Sequence, residues 1–149
     1  MNADFLDAHY RHWQDAEYLR EAARWANADH LYGMAAECGL KHLMKKMFNM
    51  TTDTNTGSPS LPVDRVHINE ASPKKDSAWV RYSSYLSGSN GHAPEYALST
   101  INPFQDWDVA QRYAARTHFD ASRVQAHQQG AEQVRQLIRR SQRNEGQPV

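Results

Sequence analysis

Apolar residues recur along much of this chain at intervals of three, four and seven, the spacing of amphipathic helices. The first such stretch covers residues 4–26, and a second continues to about Asn49. Turn-forming residues at 27–29 separate them, and Asp29 is expected to cap the second helix. The pattern therefore predicts a pair of amphipathic helices near the N-terminus.

The next segment, residues 51–62, consists mainly of Thr, Asn, Ser, Gly and Pro, which is typical of a loop. We expect this loop to be flexible. Beyond it the sequence predicts a short helix over 63–71 and a further helix over 76–86, with the punctuating residues 72–75 between them.

Two more helices are predicted in the C-terminal half. Asn102 and Pro103 suit an N-cap and a first helical position, so a helix is expected over 104–117. Asp120 is the expected N-cap of the last helix, whose apolar positions step by threes and fours, and residues 143–149 should fray.

These elements predict one all-α domain covering residues 1–149. The chain has a usual length for a single domain, and neither an internal repeat nor a convincing strand alternation is visible. The expected architecture is an antiparallel helical bundle of about five helices, with a long loop between the second helix and the central helices.

Charge and cysteine content narrow the possible functions. Lys plus Arg and Asp plus Glu each number 17, so an RNA site would have to be a local patch. No stretch approaches the roughly 18 consecutive apolar residues of a membrane helix, and no leader peptide is visible. We therefore expect no contact with a membrane. Cys38 is the only cysteine and lies in an apolar run, so we expect a buried thiol in a cytoplasmic protein.

Familiar cofactor and metal motifs are missing from the sequence. Gly88 and Gly91 lie in a Ser/Asn-rich turn and do not form a phosphate-binding loop. His9 and His12 are one helical turn apart, but the sequence places no third ligand beside them. The prediction is therefore a protein without a metal ion or other cofactor.

An arginine followed six residues later by a histidine, Arg112 and His118, suggests RNA cleavage. The imidazole can move a proton, and the guanidinium can neutralise charge on a pentacoordinate phosphorane. The same spacing joins Arg24 to His30, and spacing alone does not prefer either pair.

Three segments, taken in order, resemble the HEPN superfamily of small helical domains. Residues 32–44 (YGMAAECGLKHLM) resemble the family's second-helix segment, and residues 65–70 (RVHINE) resemble the short histidine-containing segment after its central loop. Trp107, followed by Arg112-Tyr113 and by a capped helix from Asp120, resembles the closing part.

The resemblance implies an antiparallel bundle, a homodimer, and a composite ribonuclease site across the dimer axis. The positions that match the catalytic residues are Arg112 and His118. Supporting or binding roles are expected for Glu37, Lys41, Tyr113 and Arg116. An Arg-Tyr pair is, however, also similar to members that bind or regulate without cutting, and His118 could instead cap a helix end.

We therefore expect an RNA-directed domain, with metal-independent endoribonuclease activity of the toxin or defence type as the leading hypothesis. The alternative is a non-catalytic module that binds a protein or a nucleotide. Such a module could be accessory to a nucleotidyltransferase partner encoded by a neighbouring gene.

Overall fold

The computed structural model describes residues 1–89 and 94–145, and within them it contains four α-helices and no β-strand. The helices are α1 (Phe5–Glu21), α2 (Trp25–Phe48), α3 (Ala78–Ser87) and α4 (Ala121–Glu145). Short 3₁₀-helices cover Pro62–Asp64, Pro94–Tyr96, Val109–Tyr113 and Arg116–His118. The all-α prediction is confirmed, whereas the count of about five helices is not, and the bundle arrangement stays a prediction.

The turn between α1 and α2 comes earlier than the sequence predicts. Ala23 adopts a left-handed backbone with φ of 57°. Its amide donates to the Arg20 carbonyl, and the amide of Arg24 donates to the Leu19 carbonyl. This pair of bonds is a Schellman motif, which ends a helix even without glycine. Asp29 consequently lies inside α2 and does not cap it, so that prediction is wrong.

Helix α2 forms the centre of the fold and contacts α1, α3 and α4. Its small residues allow close packing at Gly39, where a Cβ atom would lie 2.5 Å from Val134 Cγ1 and 2.9 Å from His9 Nδ1. Cys38 on the same helix is buried, and burial raises the pKa of its thiol to about 12. It is therefore a packing residue and not a nucleophile.

Two predicted helices are absent. In the segment predicted as helix 63–71, only residues 63 and 64 are helical, as the end of the 3₁₀ turn Pro62–Asp64. Val66 and Ile68, two positions apart, are both buried. This spacing fits an extended backbone better than a helix. The segment predicted as helix 104–117 consists of turns and two 3₁₀-helices, because Asn102 Oδ1 accepts the Phe104 amide in a local turn and does not open an α-helix.

The remaining boundaries agree better with the sequence. The helix predicted over 76–86 is α3, and α4 follows Asp120, whose carboxylate accepts the Arg123 amide at 2.9 Å. Helix α4 continues through Glu145, and residues 146–149 of the predicted frayed tail lie outside the described residues. The positions of α4 that step by threes and fours are all buried: Val124, His127, Ala131, Val134 and Ile138.

The predicted loop over 51–62 forms a local turn. An isolated antiparallel bridge joins Thr52 to Pro59, and the Asp53 carboxylate accepts the amides of Asn55 and Thr56. The flexibility of this segment stays a prediction. No helix in the described part of the chain is both long and apolar enough to cross a membrane.

Candidate functional site

Four of the predicted site residues lie close together in sequence and on the surface. Arg112 and Tyr113 end one 3₁₀-helix, and Arg116 and His118 bound the next; all four are exposed. The guanidinium carbon of Arg112 lies 4.8 Å from the centre of the Tyr113 ring, and Tyr113 itself is 79% exposed. The pair therefore presents a cation and an open aromatic face to solvent.

A cavity of about 400 Å³ adjoins this segment at the first turn of α2. Arg24 and Arg116 both line it, together with Ala114 and the start of α2. The first amides of a helix lack intrahelical partners and carry the positive end of the helix dipole. Two guanidinium groups at that position make the cavity suitable for an anion. The arginine surface, as used below, comprises Arg24, Arg112, Tyr113, Arg116 and His118.

The segment that carries most of the arginine surface is anchored by Trp107. This indole is buried, donates from Nε1 to the Asp29 carbonyl at 3.2 Å, and stacks on the His30 ring with 5.7 Å between ring centroids. Gln111 adds a second anchor, because its Nε2 donates to Asp29 Oδ2 at 2.7 Å. The site is thus fixed to the first two turns of α2.

Asp29 in turn belongs to a buried ionic network with α4. His127 Nδ1 lies 2.6 Å from Asp29 Oδ1, and His127 Nε2 lies 2.7 Å from Asp106 Oδ1. Burial alone would lower the pKa of His127, but the two carboxylates outweigh it and the pKa is raised. We interpret this network as a structural anchor, since its imidazole is fully buried.

Arg112 lies close enough to His30 for their charges to interact. Burial lowers the pKa of His30, and the charge of Arg112 lowers it further. The Nδ1 atom of His30 is buried and has no hydrogen-bond partner among the described residues. The charge of the arginine of one predicted pair thus acts on the histidine of the other.

Glu37 and Lys41, predicted as supporting residues, form a buried ion pair with 3.1 Å between Lys41 Nζ and Glu37 Oε2. The other carboxylate oxygen, Oε1, lies 2.9 Å from His67 Nδ1. Burial opposes ionisation of Glu37, but the hydrogen bond with His67 and the charge of Lys41 keep the pKa of Glu37 below its ordinary value. The His67 side chain is 40% exposed, so this buried carboxylate holds a histidine that reaches solvent.

The predicted catalytic pair, Arg112 and His118, lies on two successive 3₁₀-helices. Within the described residues, no hydrogen bond or ion pair links Arg112 to His118. His67 was not predicted as a site residue. Its only sequence signal is its place in the segment 65–70, because the partner Glu37 lies 30 positions away.

No group of three or more His, Cys, Asp or Glu side chains in the described ranges could hold a metal ion. Comparisons with protein-family models, curated proteins and solved structures find no significant match for this chain.

Proposed function

We propose that this chain is a HEPN-like, RNA-directed domain that binds single-stranded RNA on the arginine surface and cleaves it without a metal ion. The supporting observation is that Arg24 and Arg116 line one cavity beside the Arg112–Tyr113 stack. Guanidinium groups suit phosphates, and an open aromatic ring suits an unpaired base.

The charge content of the chain fits an RNA site on this surface. Because the formal net charge is zero, attraction to a polyanion must come from a local concentration of cations. The arginine surface supplies three guanidinium groups at one end of α2. In this proposal Arg112 neutralises the phosphate, and His118 is one histidine that could transfer a proton.

A cleavage assay tests the activity directly. Purified protein is incubated with end-labelled single-stranded RNA, with and without EDTA, beside Arg112→Ala and His118→Ala. We expect EDTA-resistant cleavage that Arg112→Ala abolishes, while loss in His118→Ala would assign a proton transfer to that histidine. Arg139→Ala is the matched control, since Arg139 is an exposed arginine on α4. Cleavage that EDTA abolishes, or that Arg112→Ala leaves unchanged, would refute the proposal.

The resemblance also leads us to propose a homodimer, in which the two arginine surfaces form a composite site. Light scattering at micromolar concentration measures the mass in solution. A dimer fits the composite site, and a monomer that still cleaves RNA would show that one chain suffices.

The second candidate function is a non-catalytic module that binds RNA, a nucleotide or a partner protein encoded by a neighbouring gene. The exposed His118, which no side-chain hydrogen bond orients among the described residues, favours this alternative. In that case RNA would bind and dissociate intact. Binding without cleavage would therefore select the module over a nuclease of the toxin or defence type.

A further inference from the structure

We propose that His127 is a pH-sensitive switch for the segment 104–113, which carries Arg112 and Tyr113 of the arginine surface. While His127 is charged, it holds this segment on α2 and α4. Once His127 is neutral, one of its two carboxylate contacts breaks and the segment loosens. The consequence for RNA rests on the proposed function, whereas the loosening itself can be measured without RNA.

Both ring nitrogens of His127 face a carboxylate oxygen. Nδ1 lies 2.6 Å from Asp29 Oδ1, and Nε2 lies 2.7 Å from Asp106 Oδ1. An ionised carboxylate only accepts hydrogen bonds, so each contact needs a proton on the ring nitrogen. A neutral imidazole has a single N–H and can make only one of the two bonds. The observed geometry is therefore that of an imidazolium ion.

The charged groups around His127 come from three parts of the fold. Asp29 belongs to α2, Asp106 precedes the 3₁₀-helix Val109–Tyr113, and Arg123 lies four residues before His127 on α4. Arg123 Nε lies 3.5 Å from Asp29 Oδ2, and Arg123 Nη1 lies 3.5 Å from Asp106 Oδ2. Two carboxylates thus balance two cations while the imidazole is charged. Loss of its proton leaves one excess negative charge in the network.

The exposure of the two carboxylates decides which bond breaks. The Asp29 side chain is fully buried, so water cannot replace its bond to Nδ1. The Asp106 side chain is 62% exposed and can be hydrated when it turns away. In neutral His127 the proton therefore stays on Nδ1, and the lone pair of Nε2 repels the Asp106 carboxylate.

The Asp106 contact acts directly on the segment 104–113. Asp106 immediately precedes Trp107, and its backbone carbonyl accepts a hydrogen bond from Arg123 Nη2. Movement of Asp106 therefore disturbs the backbone next to the Trp107 anchor. The bond from the Trp107 indole to the Asp29 carbonyl does not need the proton of His127. Deprotonation consequently loosens the segment without detaching it from α2.

The pKa values of this network agree with the geometry. Burial lowers the pKa of His127, but the hydrogen bonds and charges of Asp29 and Asp106 outweigh burial and raise it above 6.5. Burial raises the pKa of Asp106, but the hydrogen bond and charge of His127 outweigh burial and lower it. Asp106 is therefore ionised wherever His127 titrates, and the loosening begins only above the ordinary histidine range.

Nuclear magnetic resonance and hydrogen exchange together test the switch without RNA. The ¹⁵N shifts of the His127 ring should show two protonated nitrogens at about pH 6 and one above the His127 pKa. Amide protection factors in segment 104–113, corrected for the intrinsic pH dependence of exchange, are then compared on either side of that pKa. We expect wild-type protection to fall by about threefold or more, within the range of one exposed charge contact.

Asp106→Asn is the matched variant. The asparagine oxygen can accept from a protonated Nε2, and the asparagine NH₂ can donate to a neutral Nε2. The contact with His127 is thus possible in both states, so protection in segment 104–113 should become independent of the His127 proton. Amides in the middle of α1, which contributes no charged group to this network, are the internal control and should not change in either protein.

The outcomes distinguish this inference from the proposed function. A single protonated ring nitrogen at about pH 6, unchanged protection above the His127 pKa, or an equal loss in Asp106→Asn overturns the switch. An uncleavable 2′-O-methyl RNA should bind wild type less tightly above that pKa, and Asp106→Asn should lose less affinity. Absence of RNA binding at every pH overturns the proposed function, while hydrogen exchange still decides this inference.

Discussion

The imidazole ring of His30 lies parallel to the indole ring of Trp107, with 5.7 Å between their centroids. This contact packs the start of α2 against the segment that contains Trp107, which is far away in the sequence. Arg112 follows Trp107 on that segment. The contact therefore explains why the pair Arg24 and His30 and the pair Arg112 and His118, which have the same spacing, lie in the same part of the fold. It also makes the packing around Trp107 a determinant of the site.

That packing depends on Gly33. A Cβ atom at this position would lie 2.2 Å from Trp107 Nε1, so Gly33→Ala must displace the indole. We expect a loss of about 1–3 kcal/mol in the free energy of unfolding, the usual cost of overpacking. Urea unfolding measures it. Gly88→Ala is the control, because the nearest atom to its added Cβ would be 3.6 Å away. Equal effects of the two substitutions would contradict the close approach at Gly33.

The left-handed residue at the turn between α1 and α2 predicts a stabilising substitution. Ala23 has a φ of 57°, a conformation that glycine adopts without steric cost. Ala23→Gly should raise the free energy of unfolding by roughly 0.5–1 kcal/mol, even though glycine gains entropy in the unfolded chain. Ala22→Gly, at a φ of −86°, should instead destabilise the protein. Destabilisation by Ala23→Gly would show that this turn is not left-handed.

The network around His127 predicts unequal effects of two aspartates. The Asp29 side chain is fully buried, whereas that of Asp106 is 62% exposed. Asp29→Asn leaves a buried imidazole and Gln111 without a carboxylate, and should cost about 3 kcal/mol or more. Asp106→Asn should cost less than about 1 kcal/mol, because solvent screens the exposed carboxylate. Comparable losses in chemical unfolding would contradict the account of this network.

The same network predicts a pH dependence of stability. The pKa of His127 is raised in the folded protein, so the folded state holds this proton more tightly than the unfolded state. The stabilisation is complete below the unfolded pKa of about 6.5 and is lost as the pH rises through the folded value. Urea unfolding should therefore show that the difference in the free energy of unfolding between wild type and Asp29→Asn becomes smaller as the pH rises above 6. A difference that grows with pH would have the wrong sign.

Periodicity predicted the helices that bury a continuous apolar face. Helix α4 is the clearest example, because its inward positions and its cap at Asp120 can both be read locally. The boundary between α1 and α2 was missed because an alanine, not a glycine, takes the left-handed position. The helix predicted over residues 104–117 was wrong because tertiary contacts with α2 and α4 determine the conformation of this segment. Examples are the hydrogen bonds of Trp107 and Gln111 with Asp29.

The candidate site was predictable only in part. The resemblance directed attention to Arg112 and to the pair Glu37 and Lys41, and the structure places that pair in direct contact. The bond between His67 and Glu37 joins two segments 30 residues apart, so no local spacing reveals it. The effect of the Arg112 charge on the pKa of His30 likewise depends on the tertiary packing of Trp107.

RNA binding measured by fluorescence anisotropy at several salt concentrations tests the central claim most directly. A labelled single-stranded 2′-O-methyl RNA should bind wild type, with an affinity that falls as salt rises. Arg112→Ala and Arg116→Ala should each weaken binding and make the slope of log K against log salt shallower by about 0.7, the value of one phosphate contact on a single strand. Arg139→Ala should change neither quantity. No binding by wild type, or equal weakening by all three substitutions, would contradict an RNA site on the arginine surface.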